Sequence, residues 1–118
     1  MKAILIDAVN RKVELVMTDG HFRDMQRQIG CDIMTVGTYL ENEDFIYVDD
    51  EGLLNGKWKD FFFIENKAGS KSQFFAGNGL VLASNEEGES VDVKTSVEDL
   101  TKMVRFLTLN EVLARIGE

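Results

Sequence analysis

The sequence predicts a single α+β domain spanning 1–118: an antiparallel β-sheet built from N-terminal hairpins with a short helix, followed by two C-terminal helices. Three observations predict it. Strand-length apolar segments divided by polar turns fill the first half of the chain, and helix-capping patterns ahead of helix-periodic apolar positions stand near its end. At 118 residues, 44% hydrophobic and 29% charged, the chain is long enough for one core and short for two.

Residues 2 to 7 and 12 to 17 are β-branched and apolar and are separated by Asn10-Arg11, as in an antiparallel hairpin. Thr18-Asp19-Gly20 offers caps for a helix over 20 to 29, with Phe22, Met25 and Ile29 at helical spacing and Gly30 as its stop. Its polar face carries Arg23 and Arg27. Cys31 to Leu40 and Asp44 to Val48 read as a second hairpin around the polar turn Glu41-Asn42-Glu43.

After the acidic turn Asp49-Asp50-Glu51-Gly52 come Leu53, Leu54, Trp58 and the run Phe61-Phe62-Phe63-Ile64, which must be buried. Lys67 to Ser72 has loop composition, and Phe74 to Gly79 leads into a core strand at Leu80-Val81-Leu82-Ala83. Asn85 to Glu89 is an exposed turn. Thr95 with Glu98 and Ser96 with Asp99 are nested capping signals before Val97, Leu100, Val104 and Leu107, which predicts a helix over 96 to 107. Thr108 with Glu111 repeats the pattern before Val112, Leu113 and Ile116, predicting a closing helix. Met103 and Phe106 widen the apolar surface of the first of these helices, which expects a partner in the last helix or in a second copy joined through the C-terminal helices.

A net charge of -8 disfavours direct binding of nucleic acid, which needs a local basic excess. The same acidity serves solubility or makes a face that imitates nucleic acid. One cysteine, Cys31, allows no internal disulfide and no cysteine-based zinc site, so a reducing, cytoplasmic setting is expected. The opening apolar run is cut short at Asp7, unlike a secretory signal or membrane span.

No catalytic set emerges. His21 is the lone histidine, at a helix start, and reads as a surface or capping residue; Cys31 reads as a buried, inert thiol. The acidic pairs lack the spacing of a calcium loop, so neither a metal nor a cofactor is expected. Gly77-Asn78-Gly79 matches no phosphate-loop pattern; it permits a bulge or positive φ, or lets a ligand approach beside Phe74-Phe75.

Four blocks occur in order: Ile29-Gly30-Cys31-Asp32-Ile33-Met34, then Tyr47-Val48-Asp49-Asp50-Glu51-Gly52-Leu53-Leu54, then Phe75-Ala76-Gly77-Asn78-Gly79-Leu80-Val81-Leu82, then Glu87-Gly88-Glu89. They resemble the family called domain of unknown function thirty-eight forty-six over roughly residues 1 to 107. Relatives often carry a proline after the acidic turn, and this chain has none. The resemblance implies an accessory protein of a phage or mobile element, acting in the host cytoplasm. A β-rich half followed by paired helices is also similar in architecture to the Thoeris anti-defence sponges, which capture a cyclic ADP-ribose-type signal without cleaving it.

That second likeness implies a non-enzymatic binder of a small anionic, nucleotide-like ligand, acting as a homo-oligomer. The parts it requires are cations for phosphate, an aromatic face for a base and amides for its edges. Arg23, Arg27 and Arg105 are the candidate clamp, Phe75 the candidate stacking ring, and Asn78 and Asn85 the candidate donors and acceptors. The competing expectation is a protein-directed inhibitor whose acidic face imitates nucleic acid, in the manner of antirestriction proteins. Arginines converging on an aromatic-walled pocket would favour capture; carboxylates gathered on one face, with arginines scattered and paired, would favour mimicry.

Overall fold

A computed structural model describes residues 1–54, 56–65 and 74–116, so the expected loop over Lys67 to Ser72 lies outside the described residues. Lys2–Asp7 (β1) and Lys12–Met17 (β2) form the opening hairpin, in register from Lys2 opposite Met17 to Asp7 opposite Lys12. Asn10 closes the turn by donating from its backbone N–H and its side-chain amide to the Asp7 carboxylate at 3.0 and 2.8 Å. The first helix, Phe22–Ile29 (α1), starts two residues later than its caps suggested. Asp19 accepts the His21 N–H at 2.8 Å, and His21, in extended backbone, becomes the N-cap.

Met34–Tyr39 (β3) and Phe45–Asp49 (β4) make the second hairpin, with a register shift between Val36 and Thr38. The chain then crosses to a second layer at Asp60–Ile64 (β5) and Phe75–Ala76 (β6) before returning through Gly79–Ser84 (β7). Ser90–Val91 (β8), the helix Val97–Met103 (α2), the strand Val104–Thr108 (β9) and the helix Leu109–Ile116 (α3) follow. The first sheet runs β2-β1-β7-β4-β3 with β8 beside β7, and the second runs β6-β5-β9; every pairing is antiparallel.

The helix expected over 96 to 107 is a correction. It ends at Met103, and Val104–Thr108 is a strand paired along β5 from Asp60 opposite Thr108 to Ile64 opposite Val104. The capping signal was sound: Ser96 Oγ accepts the Asp99 N–H at 3.0 Å. What overrides the periodicity is β5, an apolar strand whose backbone needs a partner on its open side; a β-branched and aromatic run such as Val-Arg-Phe-Leu-Thr supplies one. The helix hands over directly, since the Val104 N–H still donates to the Leu100 carbonyl.

Period-2 alternation sorts the core into layers. From the first sheet, Ala3, Phe45, Leu80 and Leu82 meet Met25 and Ile29 of α1 on one face. Ile4, Ile6, Ile46, Val48 and Val81 on the other face meet Phe62, Ile64, Phe75 and Val104 of the second sheet and Leu100 of α2. The outer face of the second sheet, Phe61, Phe63, Ala76 and Leu107, is covered by Val112 of α3 with Trp58 and Phe74. The order across the molecule is therefore α1, first sheet, second sheet with α2, and α3. The central strand β7 is buried from Gly79 to Ala83, as its unbroken apolar run requires. The two leucines expected to join the aromatic mass do not: Leu53 and Leu54 are exposed in the turn after β4.

Candidate functional site

The layer order decides which expected site residues can meet. Arg23 and Arg27 lie on α1, in a shallow, open groove lined also by Asp19, His21, Phe22 and Asp24. Arg27 is held by Asp24, which also accepts from the Gln28 side chain at 3.0 Å. The Thr18 hydroxyl first, and then Arg27 and Gln28, hold the Asp24 carboxyl down at about 2 against the desolvation that opposes them. Arg105 stands on β9, opposite Phe63 on the outer face of the second sheet. Its guanidinium pairs with Glu65 at 2.9 Å and donates to the carbonyls of Lys102 and Val104. Two sheets separate it from α1, so one chain does not form the expected three-arginine clamp.

The remaining candidates are occupied structurally. Phe75 is buried between the sheets, its ring centroid 5.4 Å from that of Phe62, and offers no face to a base. Asn78 Oδ1 accepts the Ala8 N–H at 2.9 Å, tying β7 to the end of β1. Asn85 Oδ1 accepts the N–H groups of Glu87 and Glu89 at 3.1 and 2.8 Å and so organises its own turn. The glycines around Asn78 serve close packing. Gly77 has φ +82° and an added Cβ would lie 2.5 Å from the Trp58 indole, while one on Gly79 would lie 2.7 Å from Phe62. Cys31 is half-buried, and burial, with the Asp49 carboxylate adding to it, pushes its thiol up to about 11, far from a nucleophile's range. His21 is exposed with its ring 6.4 Å from that of Phe22. Among the described residues no group of three or more His, Cys, Asp or Glu could hold a metal, and no helix is long and apolar enough to cross a membrane.

Over residues 1–105 the sequence matches the family described as domain of unknown function DUF3846. The chain belongs to the DUF3846 family. No curated protein and no solved structure matches it. The DUF3846 match stops inside β9, so α3 lies beyond it. Within it, three of the four sequence blocks meet at one hub, the Trp58 indole. The Trp58 Nε1–H donates to Asp49 at 2.9 Å, and Gly30 and Gly77 bring backbone against the ring. In this chain these three blocks serve the packing around Trp58.

Topology makes a second feature of this DUF3846 chain that no linear motif announced. Because Phe45 is opposite Leu82, the turn before β4 and the turn after β7 project from the same end of the first sheet. Buried Asp44 fastens the entry to α2 there, its Oδ2 accepting the N–H groups of Lys94 and Thr95 at 3.0 and 2.8 Å and the Thr95 hydroxyl at 2.7 Å. That end carries exposed Glu41 and Glu43 from one turn, Glu86, Glu87 and Glu89 from the other, Asp92, and Glu98 and Asp99 from the first turn of α2. Against them stand Lys2 and Lys94, with Lys102 already paired to Glu98. The signal in the sequence was only the repeated acidic turn; the register of β4 on β7 is what sums the charges.

Proposed function

We propose that the chain is a non-enzymatic binding protein that docks its acidic end onto the cationic, nucleic-acid-gripping surface of a host protein. The observation that carries this reading is the convergence of two acidic turns and the acidic first turn of α2 at one end of the first sheet. Such a field steers association with a basic groove, as the charge of a phosphate backbone does. Arg27 and Arg105 are paired within the chain, which also favours this reading over a three-arginine nucleotide clamp. As an accessory protein of a phage or mobile element, it would work in the host cytoplasm.

The test is equilibrium binding to a panel of basic DNA-binding and RNA-binding enzymes, with duplex DNA as competitor. A true partner is displaced by DNA and loses at least about tenfold in affinity between about 50 and about 300 mM salt. The quadruple variant Glu41→Gln, Glu43→Gln, Glu86→Gln, Glu87→Gln weakens binding by about tenfold or more, and Asp50→Asn with Glu51→Gln at the far end of β4 leaves it unchanged. Equal affinity for the two variants, or indifference to salt, defeats the reading.

Capture of a nucleotide by the three expected arginines requires further copies, because within one chain two sheets lie between α1 and Arg105. The C-terminal contact that could supply them is α3, whose Leu113 and Ile116 are exposed while Val112 is buried. Light scattering decides it: a homo-oligomer built on α3 becomes monomeric in Leu113→Glu, and a wild type that is already monomeric removes both the contact and this form of capture.

A further inference from the structure

We infer that the groove beside α1 binds a small phosphate ester carrying an aromatic ring. It lies on the α1 side of the first sheet and acts whether or not the acidic end docks. Two carboxylates line it: Asp24 is paired with Arg27 of the helix, and Asp19 caps its own loop. Asp19 accepts the His21 N–H, and Asp24 accepts from Arg27, from Gln28 and, at 3.4 Å, from the Asp19 N–H.

What remains unspent points to the ligand. Among the described residues no hydrogen bond or ion pair reaches the exposed Arg23 guanidinium, and none reaches the His21 imidazole. Phe22, next to both, is 54% exposed. A guanidinium offers a planar pair of donors matched to a phosphate, the imidazole a further donor, and a ring that no core has claimed offers a stacking face. The groove is open, so water competes at every contact and the affinity should be modest, roughly millimolar.

The probes are inorganic phosphate, adenosine and adenosine monophosphate, each titrated into the whole chain while backbone amide resonances are followed. The nucleotide should shift the resonances of residues 19–27 saturably and bind about tenfold more tightly than phosphate or adenosine alone. Arg23→Ala should weaken both nucleotide and phosphate by about tenfold, while Phe22→Ala should bring the nucleotide down to the level of phosphate and leave phosphate as it was. Both side chains are exposed, so either variant should keep the wild-type spectrum outside this segment. The inference is overturned if the perturbed resonances lie elsewhere, if the nucleotide binds no better than phosphate, or if Arg23→Ala changes nothing.

Discussion

Asp44 is wholly buried where the turn before β4 meets the entry to α2, and its two oxygens are treated unequally. Oδ2 collects the two N–H groups and the hydroxyl of the 94–95 segment, while Oδ1 has no hydrogen-bond partner among the described residues. Removing the carboxylate strands two backbone donors in a closed site, so Asp44→Ala should cost about 2–4 kcal/mol in a urea melt, and Asp44→Asn, which keeps an acceptor for them, should cost less. Equal losses would mean that the acceptor is not what holds the junction. Asp24 makes a prediction of opposite visibility, in pH. Its folded pKa of about 2 lies below the ordinary 3.8, so its contribution is complete above that ordinary value and disappears as pH falls through the folded one. Hydrogen bonds from Thr108 hold Glu111 low as well, with the same sign. Thermal midpoints should therefore drop between about pH 5 and about pH 2, and drop less in Asp24→Asn than in wild type. An identical acid profile for the two would remove Asp24 from the account.

At the scale of elements, capping chemistry was readable and helix length was not. Thr108 and Glu111 form the reciprocal box their spacing predicted: the Glu111 N–H donates to Thr108 Oγ1 at 3.2 Å and the Thr108 N–H to Glu111 Oε1 at 3.1 Å. Of the nested signals before α2, Ser96 caps the helix while Thr95 is taken by Asp44, a contact 51 residues away that no local pattern contains. Ser96→Ala should cost about 1 kcal/mol, and Thr95→Ala should cost at least as much despite leaving the cap intact; a silent Thr95→Ala would deny the Asp44 junction its role. The hairpins, α1 and the core strand β7 follow from period and turn residues. Beyond Met103 the chain satisfies both periods, and only the unpaired side of β5 chooses the strand. The same choice moved Arg105 from a helix face to the outside of the second sheet, which is why the candidate clamp was misplaced along with the element. Arg23 and Arg27 kept their setting because α1 formed where its apolar spacing put it.

Across the whole molecule, a Cα radius of gyration of 13.6 Å is what one compact domain of this length should have, about 13–14 Å. Eight acidic side chains at one end of so small a body repel one another, and nothing in the packing of that end requires most of them. Asp44, Asn85 and Asp92, whose Oδ1 accepts the Lys2 N–H at 2.8 Å, make the structural hydrogen bonds, while Glu86 and Glu87 stand in solvent. A charge cluster kept for docking should therefore be a burden to the free protein. Glu86→Gln with Glu87→Gln should raise the thermal midpoint at low ionic strength by a degree or two, corresponding to roughly 0.2–0.5 kcal/mol, while weakening the partner complex. The gain should shrink in about 0.5 M salt, where the Debye length falls below the spacing between turns and wild type recovers the difference by screening. If the acids were there only for solubility, neutralising two of 21 would leave binding untouched. If they were structural, the midpoint would fall. Only a midpoint that rises while affinity falls shows that this end of the sheet holds its charge against its own stability for the sake of a partner.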